Sequence, residues 1–172
     1  THDTPSAAPA GERPESLPGL GDVDPALLRE VSRLGGYSQD RKPSIDFRIP
    51  DAERQLSAAG MTQRLRFWMR TTRPLPQDSR VHAAVLAYLS DWWLNFSALG
   101  LHLRQLGERR LYIASLNHAL WLHRPVQADQ WLHVDTCSPA SGAGRGLAVG
   151  AVHDQAGRRV ATATQECLMA YV

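Results

Sequence analysis

Residues 78–100 read DSRVHAAVLAYLSDWWLNFSALG, and their apolar positions decide the fold. Val81, Val85, Leu86, Leu89, Trp92, Trp93, Phe96 and Leu99 recur at helical spacing and cover most of the circumference. A helix with so broad an apolar surface has to be buried on several sides. Asp78 or Ser79 offers an oxygen to the first unpaired amides, and Gly100 is expected to close the helix.

The flanking segments are strand-like. In residues 63–72, Leu65, Phe67 and Met69 alternate with Arg64, Arg66 and Trp68, and the run stops at Pro74 and Pro76. Upstream, Ile45, Phe47 and Ile49 alternate with polar residues over 44–49, which predicts a half-buried strand. Downstream, the stretches 110–122, 129–138, 145–154 and 158–171 are strand-like, punctuated by Pro125, Gly142 with Gly144, and residues 154–157. One strand, one buried helix and then four strands is the order of an α+β hotdog fold. In that fold an antiparallel sheet wraps around one long helix. Residues 44–172 form this domain. Residues 1–25 are rich in Pro, Ala, Gly and acidic side chains and bury too little to offset their ordering entropy. A short helix is expected at 25–34, and 1–43 as a whole reads as a linker or arm.

Composition narrows the function. A formal charge of +2 from mixed acidic and basic residues gives no electrostatic case for nucleic acid. No apolar run is long enough for a membrane span. Two cysteines, Cys137 and Cys167, make no disulfide framework, so a reducing cytoplasm is expected.

Four blocks carry a resemblance: residues 80–95 (RVHAAVLAYLSDWWLN), 113–125 (IASLNHALWLHRP), 131–146 (WLHVDTCSPASGAGRG) and 160–169 (VATATQECLM). In order and spacing they resemble the second hotdog of acyl-CoA thioesterase II enzymes, and the H-x-x-W-x-H-R-P run and the terminal Q-E pair are the most specific parts. The resemblance implies a substrate, acyl-CoA, and no cofactor. It also implies a partner, a second hotdog chain or domain placed side by side, and an N-terminal arm matching the segment that joins two hotdogs.

The same resemblance implies a site. In that family an acid, a Ser or Thr and a Gln hold and activate a water that attacks the thioester carbonyl. Gln165 matches the Gln and Ser138 the hydroxyl, but the acid's position is Asn117. A carboxamide takes no proton from water, although Asn117 could still orient a nucleophile or a carbonyl. Asp91, on the helix between Ser90 and Trp92, is a second candidate acid, and His118 a candidate substrate contact. His118 and His123 lack further ligands at metal spacing, so no metal site is expected. Gly142, Gly144 and Gly146 let the strands bend or turn. Cys137 and Cys167 have no evident base beside them.

Thr1 carries a hydroxyl and an α-amine on one residue, the arrangement by which an N-terminal Thr becomes a nucleophile with its own base. Two classes of function are therefore expected. One is an enzyme that hydrolyses acyl-CoA or, using Thr1, transfers the acyl group. The other is a silent hotdog subunit that completes a partner.

Overall fold

The computed structural model describes residues 13–32, 44–57, 59–103, 107 and 109–172. Thr1 and residues 33–43 of the arm lie outside the described residues.

The sheet holds six antiparallel strands in the order β1-β2-β4-β5-β6-β3. They are β1 (Ile45–Arg48), β2 (Arg64–Thr71), β3 (Leu111–Leu122), β4 (Leu132–Gly142), β5 (Arg145–His153) and β6 (Arg159–Tyr171). Between β2 and β3 run α3 (Ser79–Trp93) and α4 (Phe96–Leu103), and before them α1 (Pro25–Ser32) and α2 (Ala52–Leu56). The central helix lies in the curl of the sheet, α3 against β3 and α4 across β4, β5 and β2. This is the expected hotdog.

The core forms where the helix meets the sheet's inner face. Leu86, Leu89, Trp93, Phe96 and Leu99 are buried there with Leu65, Phe67 and Met69 of β2. Phe47 of β1 stacks on Phe67 at 4.9 Å and meets the edge of Trp92 at 5.0 Å. Burying side chains of this size stabilises a fold by about 1.5–3 kcal/mol each. From the N-terminal region Val23 and Val31 join the core, and Arg48 donates to the Leu17 carbonyl at 2.7 Å.

Four details differ from expectation. The central helix is not continuous: Leu94 and Asn95 interrupt it. There the Ser97 hydroxyl donates to the Leu94 carbonyl at 3.1 Å, and Asn95 turns its amide to Ser115. Gly100 does not close the helix, which runs on to Leu103. A Cβ on Gly100 would collide with the Thr62 carbonyl oxygen, so glycine lets α4 lie on that backbone. α2 was not foreseen; its Gln55 is buried and bonds both the N–H and the C=O of Arg66. Trp68, assigned by alternation to the polar face of β2, is 3% exposed and packs on His133 with ring centroids 4.9 Å apart.

Gly142 and Gly144 form the expected turn, whereas Gly146 lies inside β5, where a Cβ would press on Ala98 of α4. Gly142 pairs with Arg145 across a two-residue turn in which Ala143 and Gly144 both have positive φ, as a tight hairpin that matches the twist of its strands requires. Among the described residues no helix is long and apolar enough to cross a membrane.

Candidate functional site

Gln165 sits in the middle of β6 on the inner face, where Ala161, Ala163 and Cys167 share its alternation and are fully buried. Its side chain is 0% exposed and points toward the central helix. There its Nε2 donates to Asp91 Oδ1 and, at 2.8 Å, to Ser115 Oγ of β3. Asn95, at the helix break, donates from Nδ2 to the same Ser115 oxygen at 3.3 Å. Three elements thus bring four polar side chains together, with the amide of Gln165 as the floor and the exposed Asp91 and Ser115 at the rim. The Gln165 Oε1 and Asn95 Oδ1 atoms are buried with no hydrogen-bond partner among the described residues. His118 pairs with Gln165 across β3 and β6, and its Nε2 lies 3.2 Å from the Ser90 hydroxyl next to Asp91.

The sequence-derived residues therefore separate. Gln165, Asp91 and His118 come together. Asn117 does not join them. A β-bulge between Ser115 and Asn117 leaves Leu116 unpaired, so Asn117 pairs with Glu166 and shares its outer face. Simple alternation, which takes no account of a bulge, would put Asn117 on the face of Ser115. Instead its Nδ2 donates to Glu166 Oε2 at 3.2 Å, its Oδ1 accepts from the Glu166 N–H at 3.1 Å, and Arg145 holds the other Glu166 oxygen at 2.9 Å. These three residues line a shallow recess of about 280 Å³ on the outer face.

Ser138 faces inward but lies elsewhere. It sits at a second bulge, in β4, and its hydroxyl donates to the Ala140 carbonyl at 3.1 Å. β5 stands between it and Gln165, so the two are about two strand spacings apart, roughly 10 Å. Ser115 and Asn95 were not singled out from the sequence. Ser115 lies two residues before Asn117, and only the register of the bulge reveals that it is the inward-facing one.

The largest electrostatic perturbation is remote from this cluster. His133 of β4 and His153 of β5 pair across the sheet, 0% and 3% exposed, and none of their ring nitrogens has a hydrogen-bond partner among the described residues. Burial, then the neighbouring His153, pushes the His133 imidazole down to about 4. Burial and Arg159 lower His153 as well. Burial also lowers His102, which lies 2.6 Å from the Ser141 hydroxyl, and raises the Cys167 thiol. No group of three metal-ligating side chains occurs among the described residues.

The chain is similar to known proteins over most of its length. Acyl-CoA thioesterase 2 of Haemophilus influenzae is 34% identical over 105 residues, covering 60% of this chain and 36% of that protein. Human acyl-coenzyme A thioesterase 8 is 35% identical over 101 residues, covering 58% of this chain and 31% of that protein. The chain thus spans about a third of the length of these relatives. Among solved structures, the acyl-CoA thioesterase II TesB2 from Mycobacterium marinum superposes with a TM-score of 0.69 at 35% identity, over 95% of this chain and 56% of that one. A hot dog-fold protein of Alicyclobacillus acidocaldarius, 20% identical with a TM-score of 0.64 over 97% of this chain and 56% of that one, shares the fold. A family model described as the acyl-CoA thioesterase C-terminal domain matches residues 6–169. The chain belongs to the acyl-CoA thioesterase C-terminal domain family.

Proposed function

We propose that this chain hydrolyses acyl thioesters of coenzyme A at the cluster around Gln165, as one half of a paired hotdog. The observation that carries it is the buried Gln165 amide, hydrogen-bonded to a carboxylate and a hydroxyl, with its own oxygen unpartnered among the described residues at the floor of the cluster. A buried acceptor without a partner costs about 1–3 kcal/mol, a cost that a bound water or substrate N–H removes. Membership of a family whose named relatives are acyl-CoA thioesterases supplies the substrate class. Thioester hydrolysis needs only a positioned water, a proton acceptor and donors for the developing oxyanion, so no cofactor is called for.

The edge of the sheet supports the pairing. β3 is the last strand in the order, twelve residues long, and pairs only with β6 among the described residues. So long an open edge is normally covered. A second hotdog adding its own edge strand would extend the sheet and close the rim of the site, which lies beside β3.

The test is release of CoA thiol from acyl-CoA substrates of graded chain length. The Gln165→Ala variant should release CoA about a hundredfold more slowly, the usual loss when a donor that fixes a reacting group is removed. Turnover by the variant at the parental rate would rule out Gln165. Sedimentation showing a monomer that still turns over would rule out the pairing.

A further inference from the structure

We propose that His133 and His153 hold one soft monovalent cation, Cu(I), between their ring nitrogens, bracing β4 to β5 on the outer face of the sheet. The site lies on the opposite face from the cluster around Gln165 and is independent of the function proposed there.

The two histidines are direct cross-strand partners. The next pair of the ladder, Val134 and Val152, faces the core, so the two rings share the outer face. A histidine on an outer face ordinarily meets water. Here the rings are 0% and 3% exposed, with Trp68 of β2 packed on His133. All four ring nitrogens are buried, and none has a hydrogen-bond partner among the described residues. Burial keeps both rings neutral at neutral pH, the form that ligates a metal. Each neutral ring brings one lone pair, so two unused lone pairs stand at one place.

The spacing suits an ion between them. An in-line bridge, with metal–nitrogen bonds of about 2.0 Å and each nitrogen roughly 1.1 Å from its ring centre, sets the ring centroids about 6 Å apart. The two centroids lie 6.1 Å apart, and the planes are tilted by 34°, which such a bridge permits.

Ligand number and charge select the ion. No group of three metal-ligating side chains occurs among the described residues, and the rings are shut off from solvent. Zn(II), Ni(II) and Cu(II), which need four or more ligands, are therefore poorly served. Cu(I), a filled-shell ion of low charge, is stable with two nitrogens in a line. Arg64, Arg66 and Arg159 act on the pair, with Asp135 and Asp154 opposing them. That setting tolerates one added positive charge better than two. Entry is through the strand ends: His153 is the last residue of β5, at a register shift, and His133 is the second of β4.

The experiment titrates the metal-free chain with Cu(I), without oxygen, against a chromophoric Cu(I) chelator. Cys137, an exposed thiol that would itself take Cu(I), is replaced by Ser throughout. One equivalent should bind, and the ring resonances of His133 and His153 should shift. His133→Phe and His153→Phe keep a buried ring, and each should lower the affinity at least about a hundredfold, since losing even an outer partner of a ligand costs about 10–100-fold. X-ray absorption of the loaded parent should show two nitrogen ligands and no sulfur, which tests the site even where a variant fails to fold. Unshifted His133 and His153 resonances, a sulfur ligand, or an affinity unchanged in either folded variant overturns the proposal. So does binding of Zn(II) at these rings as tightly as Cu(I), because it requires ligands that a two-histidine site lacks.

Discussion

Acidification should destabilise this domain through His133, and the size of the effect can be worked out in advance. His133 is fully buried, its two ring nitrogens lack partners among the described residues, and its pKa stands at about 4 against an ordinary 6.5. Between these values the unfolded chain binds a proton that the folded chain refuses. Stability contributed by the neutral ring is therefore complete above pH 6.5, falls as pH drops through the window, and stops falling below about 4. A gap of about 2.5 between the two values, at ~1.4 kcal/mol per pH unit, sets an upper limit of ~3 kcal/mol. His153, lowered by its burial and by Arg159, adds in the same direction. Urea unfolding from neutral pH to about 4.5 measures the slope. The control is His133→Phe, which keeps a ring against Trp68 but cannot take up a proton. At neutral pH this variant should be no less stable than the parent, since it removes two unpartnered nitrogens. Toward pH 4.5 its advantage should widen by about 2–3 kcal/mol. Stability profiles of parent and variant that run parallel over this range would refute the reasoning.

Asn117→Asp should not raise CoA release, because it sets a carboxylate against Glu166 on the outer face; the urea midpoint should instead drop by the equivalent of about 0.5–1 kcal/mol. A tenfold or greater gain in turnover would mean that position 117 reaches the reacting carbonyl after all. Gly100→Ala tests the close approach of α4. Helix propensity alone predicts a gain of about 1 kcal/mol, but the new Cβ would run into the Thr62 carbonyl, so a net loss of about 1–3 kcal/mol is expected in thermal or urea unfolding.

Much of this architecture is legible in the sequence because the apolar periods are long and clean. The helix announces itself through Leu86, Leu89, Trp93, Phe96 and Leu99, and β6 through Ala161, Ala163 and Gln165. Other features leave no such trace. The five residues of α2 are too few to display a period. The break at Leu94 and Asn95 leaves the helical spacing of Trp92, Trp93, Phe96 and Leu99 unchanged and depends on where Ser97 and Asn95 find partners in space. Trp68 looks like an outward position until His133 arrives from a strand far along the chain to cover it. The site was half readable. Gln165 was reached through the family resemblance and Asp91 as a carboxylate on an apolar helix. Asn117 entered through the resemblance, and the bulge at Leu116, which turns Asn117 outward and leaves Ser115 facing in, has no signature in the residue pattern.

That unpaired leucine behaves like a dislocation in a crystal row. It adds one residue on one side of the ladder, and everything beyond it is shifted by a single place. Deleting Leu116 would heal the row without turning any other side chain over, since Ser115 would still face inward and Asn117 outward. Sliding the defect past Leu122 is a different matter. It would bring Asn117 opposite Gln165, but it would also expel Leu120 from the core it packs against and press Trp121, now 52% exposed, into the same space. The volume difference between a leucine and a tryptophan thus pins the defect where it is. Which side chain of β3 faces Gln165 is thus selected by packing farther along the strand, at positions outside the cluster.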